Sequence, residues 1–446
     1  MRQRRRRKKK YVRQKIYVFA GVLLFFALIA LIIPLRPKES AVEKRTLAKF
    51  PKPTLETVWN GEFFESMNTW YADTFPFRDW LISRNMKFRS AYGIQKTQIY
   101  GSMQASADNT EEKKEKEKKV DTDAEPADEK QDKTLKDGTK QRAIEQIQEQ
   151  FGAVYLAEDT AFSLFGFSQD VTDDYIEAVN ALVNKVDEEE VKIYDMVVPI
   201  SSGVYLDSKL QKDLGSNDQK EAVQYIYDRL DDKVTTVDVF AALENHNDEY
   251  LYFRSDHHWT ALGAYYAYCE FMDIQDMKPT PIDSYETMTF DNFLGTMYSY
   301  CNQAPALGNN PDSVTAYIPL ATNDMQFLDK NGTTMDYKVI TDVSGWNSAS
   351  KYNCFIGSDQ PLAWIQNPKK SDGSSCLVVK ESYGNAFVPF LVDHYEYVYV
   401  VDYRFYPKSL TELIAEKEIK NVLFLNNVMA TSTDTLVPSL LALVNL

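Results

Sequence analysis

Two of the four histidines in this 446-residue chain stand side by side, in the stretch "YFRSDHHWTALGAYYAY" from Tyr252 to Tyr268. Asp256 precedes them and Trp259 follows. Three chemistries compete for such residues: a metal site, an acid–base pair, or polar decoration at a helix start. A metal would need Asp256, His257 and His258 together. Adjacent side chains of an extended segment diverge, and no further His or Cys cluster completes a set, so no metal is expected. An acid–base pair needs only two residues. Asp256 and His258 are two apart, and in an extended segment they point to the same side, so the carboxylate can orient the His258 imidazole while His257 points away. The bland alternative for His258 is a structural histidine with satisfied hydrogen bonds. His246 and His394 carry no motif.

A carboxylate-held histidine acts as a base only if it has a nucleophile to serve. In "CLVVKESYGNAF" an apolar strand runs into Ser382 and a helix begins at once. That places a hydroxyl at the sheet edge where open α/β folds bind ligands, beside helix-start N–H groups that can stabilise an oxyanion. The competing reading is an N-cap, a position that favours Ser. The final strand ends "FLNNV", where Asn426 and Asn427 offer amides to an oxyanion or, equally, to a turn.

The elements that must carry these residues alternate. "DVTDDYIEAVNALVNKV" predicts a helix, "KIYDMVVPI" a buried strand, "NDQKEAVQYIYDRLDD" a helix and "VTTVDVF" a strand. Thr260 is placed to cap a helix running through Cys269 and Phe271. Residues 280–372 read as irregular, with short strands at "DYKVIT" and "YNCFIG". Then come strand "SCLVVKES", helix "SYGNAFVPFLVDHY", strand "EYVYVVD", helix "LTELIAEKE" and strand "KNVLFLNNV". Alternation of this kind predicts an α/β fold, a mainly parallel sheet with helices on both faces.

Charge is unevenly spread. Residues 1–40 hold 12 of the 50 Lys/Arg and one of the 65 Asp/Glu, so the remainder is strongly acidic. The basic head precedes "IYVFAGVLLFFALIALII", residues 16–33, uncharged throughout and about 27 Å long as a helix, enough for a lipid bilayer core. The Lys/Arg asymmetry puts the N-terminus in the cytoplasm and the large domain outside. No small-x-small cleavage site follows, so an anchor is expected at 16–35 rather than a signal peptide. An acidic domain outside the membrane excludes nucleic acid as partner. The expected organisation is a basic tail (1–15), the membrane helix (16–35), a helical juxtamembrane region packing on the main domain (36–103), a disordered charged insertion (104–141) and the α/β domain (142–446). The juxtamembrane region reads as two amphipathic helices broken at Thr74–Pro76, and the insertion has almost no large apolar residue. Cys269, Cys301, Cys354 and Cys376 form no C-x-x-C pair; two disulfides and four buried thiols both fit.

The stretch from Tyr252 to Tyr268 resembles the signature of the DHHW family, relatives of the alginate O-acetylation proteins AlgJ and AlgX. "EKRTLAKFP" and "WYADTFPFRDWL" resemble that family's start; "MVVPISSGVY", "KESYGNAFVPFL", "VVDYRFY" and "VLFLNNV" resemble its later blocks, in order. The resemblance covers most of residues 43–428 except the charged insertion. It implies an SGNH-hydrolase-like fold with permuted block order. Asp256 would be the orienter, His258 the base and Ser382 the nucleophile; Asn427, with Asn426 its near rival, Tyr383 and Arg404 would form the oxyanion and substrate-binding set. Glu381 departs from the Asp that family members often have before the serine. The implied activity is O-acetylation of a cell-envelope or exported polysaccharide, with a membrane-bound O-acyltransferase as acyl donor and no cofactor. An esterase with the same residues, or a non-catalytic scaffold for envelope polymers, are the alternatives.

Overall fold

The computed structural model describes residues 39–40, 45–46, 49–54, 57, 62–75, 98–101, 152–186 and 190–446. The expected membrane helix, charged insertion and second juxtamembrane helix lie outside them. Among the described residues no helix is long and apolar enough to cross a membrane. The chain divides into two compact units, and each is taken by itself.

In the N-terminal unit, helix α1 (Glu62–Asp73) ends just before the expected break, with the Thr74 hydroxyl donating back to Trp70 O at 2.7 Å. The Trp70 ring packs edge-on against Phe50, centroids 4.8 Å apart.

The larger unit opens with a three-stranded antiparallel sheet: β1 (Gln98–Gly101), β2 (Ala153–Ala157) and β3 (Thr160–Ser163). Gln98–Gly101 is therefore a strand, where a helical region was expected up to 103. Helix α2 (Gln169–Val183) leads to β4 (Lys192–Val198), and α3 (Gln219–Tyr227) to β5 (Val234–Thr236). Helix α4 (Ala261–Ile274) starts at Thr260, whose hydroxyl accepts from Gly263 N at 3.3 Å. The paired strands β6 (Glu286–Phe293) and β7 (Asp312–Ile318) flank α5 (Thr296–Tyr300). Strands β8 (Asp324–Leu328), β9 (Thr334–Lys338) and β10 (Leu362–Gln366) follow. The chain closes with β11 (Ser375–Lys380), α6 (Gly384–Leu391), β12 (Tyr397–Asp402), α7 (Leu410–Glu416), β13 (Asn421–Asn427) and α8 (Val437–Asn445).

The main sheet has eight strands in the order β9-β8-β10-β12-β11-β13-β4-β5. From β12 to β5 every pair is parallel, as expected. From β12 outward through β10, β8 and β9 every pair is antiparallel, so the sheet is mixed rather than mainly parallel. The β8–β9 connection is too short for a crossover, and only antiparallel pairing closes over such a loop. Residues 352–357, expected as a strand, begin in a 3-10 helix (Ser348–Cys354); Phe355 then makes an isolated bridge to Ile340, and Ile356, Gly357 and Ser358 all have positive φ.

β11 and β12 are apolar almost throughout and buried between helices. Helices α4 and α6 pack together, as do α2 and α8. The β11–α6–β12 and β12–α7–β13 crossovers run in opposite directions along the sheet, so right-handed connection puts α6 and α7 on opposite faces. All four cysteines are free thiols, and burial pushes the pKa of Cys301 up to about 12.

Candidate active site

Ser382 follows β11 directly and precedes α6, at the carboxyl edge of the parallel half of the sheet. Gly384 is what allows the turn: a Cβ there would come within 2.7 Å of Lys380 Cβ. The N-cap reading of Ser382 fails. The cap position falls on Tyr383, and no side chain caps the helix. Ser382 Oγ instead lies 2.8 Å from His258 Nε2 and 3.1 Å from Glu381 Oε2.

The histidines sit in a tight loop rather than an extended segment. Tyr252 bridges Trp259 in antiparallel fashion, Phe253 N donates to His258 O and Thr260 N to Leu251 O, so residues 254–257 form the tip of a hairpin. Buried Asp312 holds the tip by accepting from Ser255 N at 2.8 Å, from the Ser255 hydroxyl and from Arg254. In this loop Asp256 Oδ1 meets His258 Nδ1 at 2.5 Å and also accepts from His258 N at 3.1 Å. Asp256, His258 and Ser382 thus form one hydrogen-bonded series. Burial alone would push the Asp256 carboxyl up, but the two imidazoles and the donated hydrogen bonds outweigh it and hold the group well below the usual carboxylate range.

His257 does not point away. The bent backbone turns both rings to one side, centroids 3.7 Å apart. The ligand-type atoms of Asp256, His257 and His258 lie within 4.8 Å of one another, which corrects the expectation that they diverge. Those of Asp256 and His258, and His257 Nδ1, are engaged in hydrogen bonds that a bound cation would have to displace.

Aromatic residues lock the hairpin to the serine turn. Trp259 Nε1 donates to Tyr383 O at 2.9 Å, and Tyr383 Oη donates to His257 O at 2.6 Å. Tyr352 stacks on the His258 ring, centroids 3.9 Å apart and planes nearly parallel, and donates to Ser382 O at 3.0 Å. These bonds join two segments more than 120 residues apart and give the His258–Ser382 distance its definition.

The expected oxyanion and substrate-binding residues are engaged elsewhere. Asn427 donates from both N and Nδ2 to Glu381 Oε1, at 3.0 and 3.1 Å, while its Oδ1 accepts from Met429 N and Ala430 N. Asn426 bonds to Tyr403 and Tyr175. The Tyr383 hydroxyl serves the hairpin, and Tyr383 N donates to Glu381 Oε2. Arg404 is buried against Asp402 and Asp359, with Lys380 completing a cluster of two cations and two anions. Burial opposes the charge on Asp359, but Arg404 and Lys380 overcome it and keep the carboxyl well below its usual range. The helix-start donors are likewise used: Gly384 N goes to Glu381 O and Asn385 N to Ser382 O. The Ser382 N–H has no acceptor among the described residues.

Glu381, noted in the sequence only as a departure, is thus the junction of the site. It receives Ser382, Tyr383 and Asn427. Three residues escaped sequence reasoning. Thr296, at the start of α5, donates from N (2.8 Å) and Oγ1 (3.0 Å) to Asp256 Oδ2. Gly295 lies so close that a Cβ would sit 2.1 Å from that oxygen. Nothing in "FLGTMY" signals either role. Tyr352 was likewise hidden in the irregular region.

A serine, an imidazole and a carboxylate thus lie bonded in series at the carboxyl edge of a mixed α/β sheet. The DHHW protein family matches residues 43–132 and 113–401, and the chain belongs to this family. A solved DHHW family protein from Eubacterium siraeum is 29% identical, with a TM-score of 0.59 over 65% of this chain and 95% of its own. PatB1 of Bacillus cereus, solved with a sulfonyl adduct, is 19% identical, with a TM-score of 0.54 over 64% of this chain and 96% of its own. The O-acetyltransferase domain of Pseudomonas putida AlgJ is more distant, at 15% identity and a TM-score of 0.35 over 65% of this chain and 98% of its own. A comparison with curated proteins gives no match.

Proposed function

We propose that this protein is a membrane-anchored O-acyltransferase that acetylates a hydroxyl of a cell-envelope or exported polysaccharide outside the cell. The observation that carries the reading is the series Asp256–His258–Ser382, with links of 2.5 and 2.8 Å. His258 takes the Ser382 proton as Oγ attacks an acyl carbonyl, and Asp256 stabilises the resulting imidazolium. At the serine turn the Ser382 N–H, which has no acceptor among the described residues, is available to the oxyanion. The imidazolium then gives that proton to the departing group of the acyl donor, which leaves an acyl-serine and a neutral His258; His258 next removes the proton of a sugar hydroxyl as it attacks the acyl-serine, and returns it to Ser382 Oγ as the ester forms.

The anchor is residues 16–33, with the N-terminus in the cytoplasm, and a membrane-bound O-acyltransferase supplies the acyl group. The sequence supports both through its Lys/Arg asymmetry and family resemblance. A scaffold without catalysis would tolerate Ser382 and His258 out of hydrogen-bonding reach, and their contact weighs against it.

The test is to treat purified protein with a sulfonyl fluoride and map the adduct, and to follow an activated acetyl ester with and without a polysaccharide acceptor. Labelling of Ser382 and acetyl appearing on the acceptor are expected. Acetate release that no acceptor diverts would replace transferase by esterase, and no labelling with no turnover would sink both.

A further inference from the structure

The series from Asp256 to Ser382 uses one histidine of the pair, yet the neighbouring one is also held in place. His257 Nδ1 lies 2.8 Å from Thr296 Oγ1, and Thr296 Oγ1 lies 3.0 Å from Asp256 Oδ2. A threonine hydroxyl has a single proton, so it can donate to the carboxylate or to the imidazole, not to both. The carboxylate is the stronger acceptor. His257 Nδ1 must then carry a hydrogen and donate it to the Thr296 oxygen. Burial, reinforced by the adjacent His258 ring, pushes the His257 pKa down to about 3 and keeps the ring neutral. A neutral ring protonated at Nδ1 is a single defined tautomer.

The two carboxylate oxygens of Asp256 are held differently. Oδ1 is bonded to His258 itself, whereas the partner of Oδ2 among the described residues is Thr296, through N and Oγ1. With the Thr296 N–H, the hydroxyl proton on Oδ2 sets the rotation of the Asp256 carboxylate, and with it the aim of His258 at Ser382.

We propose that His257 is a positioning residue: by donating Nδ1–H to Thr296 it commits the threonine hydroxyl to Asp256 Oδ2 and so fixes the carboxylate that orients His258. This rests on the acyl-transfer reading of Ser382. It also accounts for the second histidine of the pair, which acid–base chemistry alone does not require.

Two measurements on the full-length protein test it. In ¹⁵N NMR of the histidine-labelled wild type, His257 should be the neutral Nδ1–H tautomer between about pH 5 and 8. An Nε2–H tautomer, or a ring that titrates in that range, overturns the proposal whether or not the protein turns over any ester. The second measurement is steady-state acyl turnover. His257→Leu should lower kcat by about ten- to a hundredfold, as misplaced catalytic groups do, with KM little changed. His257→Asn, whose amide nitrogen overlays Nδ1, should restore most of the rate, and His257→Gln should not. In a Thr296→Val background, His257→Leu should cost nothing further. Losses that multiply across the two sites, a change confined to KM, or equal impairment of the Asn and Leu variants would each overturn it. Failure of the acyl-transfer reading itself would show separately, as a folded Ser382→Ala protein with undiminished turnover.

Discussion

Replacing Ser382 by Ala separates catalysis from folding because the two costs differ so much. The hydroxyl caps no helix N–H, so the usual penalty for losing a cap does not apply. What disappears is one donated hydrogen bond, to His258 Nε2 at 2.8 Å or to Glu381 Oε2 at 3.1 Å. Such a bond contributes a net of about 0.5–1.5 kcal/mol. Ser382 keeps 9% of its surface exposed, so water can reach the vacated position and bring the cost toward the lower end. In a unit of this size the melting temperature should fall by only a few degrees. Turnover is another matter. Losing the nucleophile of a working triad costs on the order of 10⁵- to 10⁶-fold in rate, or roughly 7–8 kcal/mol of barrier. The assay is acetate release from an activated acetyl ester by purified protein, with thermal unfolding measured on the same samples. Asp256→Asn should also lose most activity, and the double variant should be no slower than Ser382→Ala alone, because the groups act as a unit. A folded Ser382→Ala protein that turns over acyl ester at the wild-type rate would refute the mechanism.

Asp195 on β4 should make stability depend on pH. Burial pushes its pKa up to about 7, although Tyr175 donates to it at 2.5 Å. An unfolded Asp titrates at about 4, so between about pH 4 and 7 the folded state holds a proton that the unfolded chain has released. Stability from this group is complete below the lower value and is lost as pH rises to the upper one, by on the order of 4 kcal/mol. Asp195→Asn should flatten that slope in urea midpoints at pH 5 and 8; an unchanged slope would assign it elsewhere. Gly295→Ala drives a Cβ to 2.1 Å from Asp256 Oδ2 although φ is ordinary, so it should displace the carboxylate and cut kcat by about a hundredfold; full activity would show that Asp256 has room to move. Protease added outside intact cells should digest the large domain, and full protection would reverse the proposed topology.

Much of the fold is written locally. Apolar runs bounded by turn residues mark β4, β11, β12 and β13, and 3.6-residue periodicity marks α2, α4 and α7, because these signals depend only on neighbours along the chain. Ser382 and the Asp256–His258 spacing were legible for the same reason: a strand end followed by a helix, and two chemical groups two residues apart. The side to which His257 turns was not, since it follows from a hairpin bend held by Asp312, some 55 residues on. The antiparallel half of the sheet was harder to read, because β8, β9 and β10 are five residues each and lie within a stretch rich in Asn, Asp and Gly that reads as irregular. Asn427 illustrates the remaining limit. Its residue type suits an oxyanion donor, but the same amide suits Glu381, and only the approach of β13 to the serine turn decides which it meets. Thr296, Gly295 and Tyr352 carry no mark in the sequence. Their roles arise from where the β6–α5 turn and the 348–354 segment come to rest, and that placement belongs to the packed core.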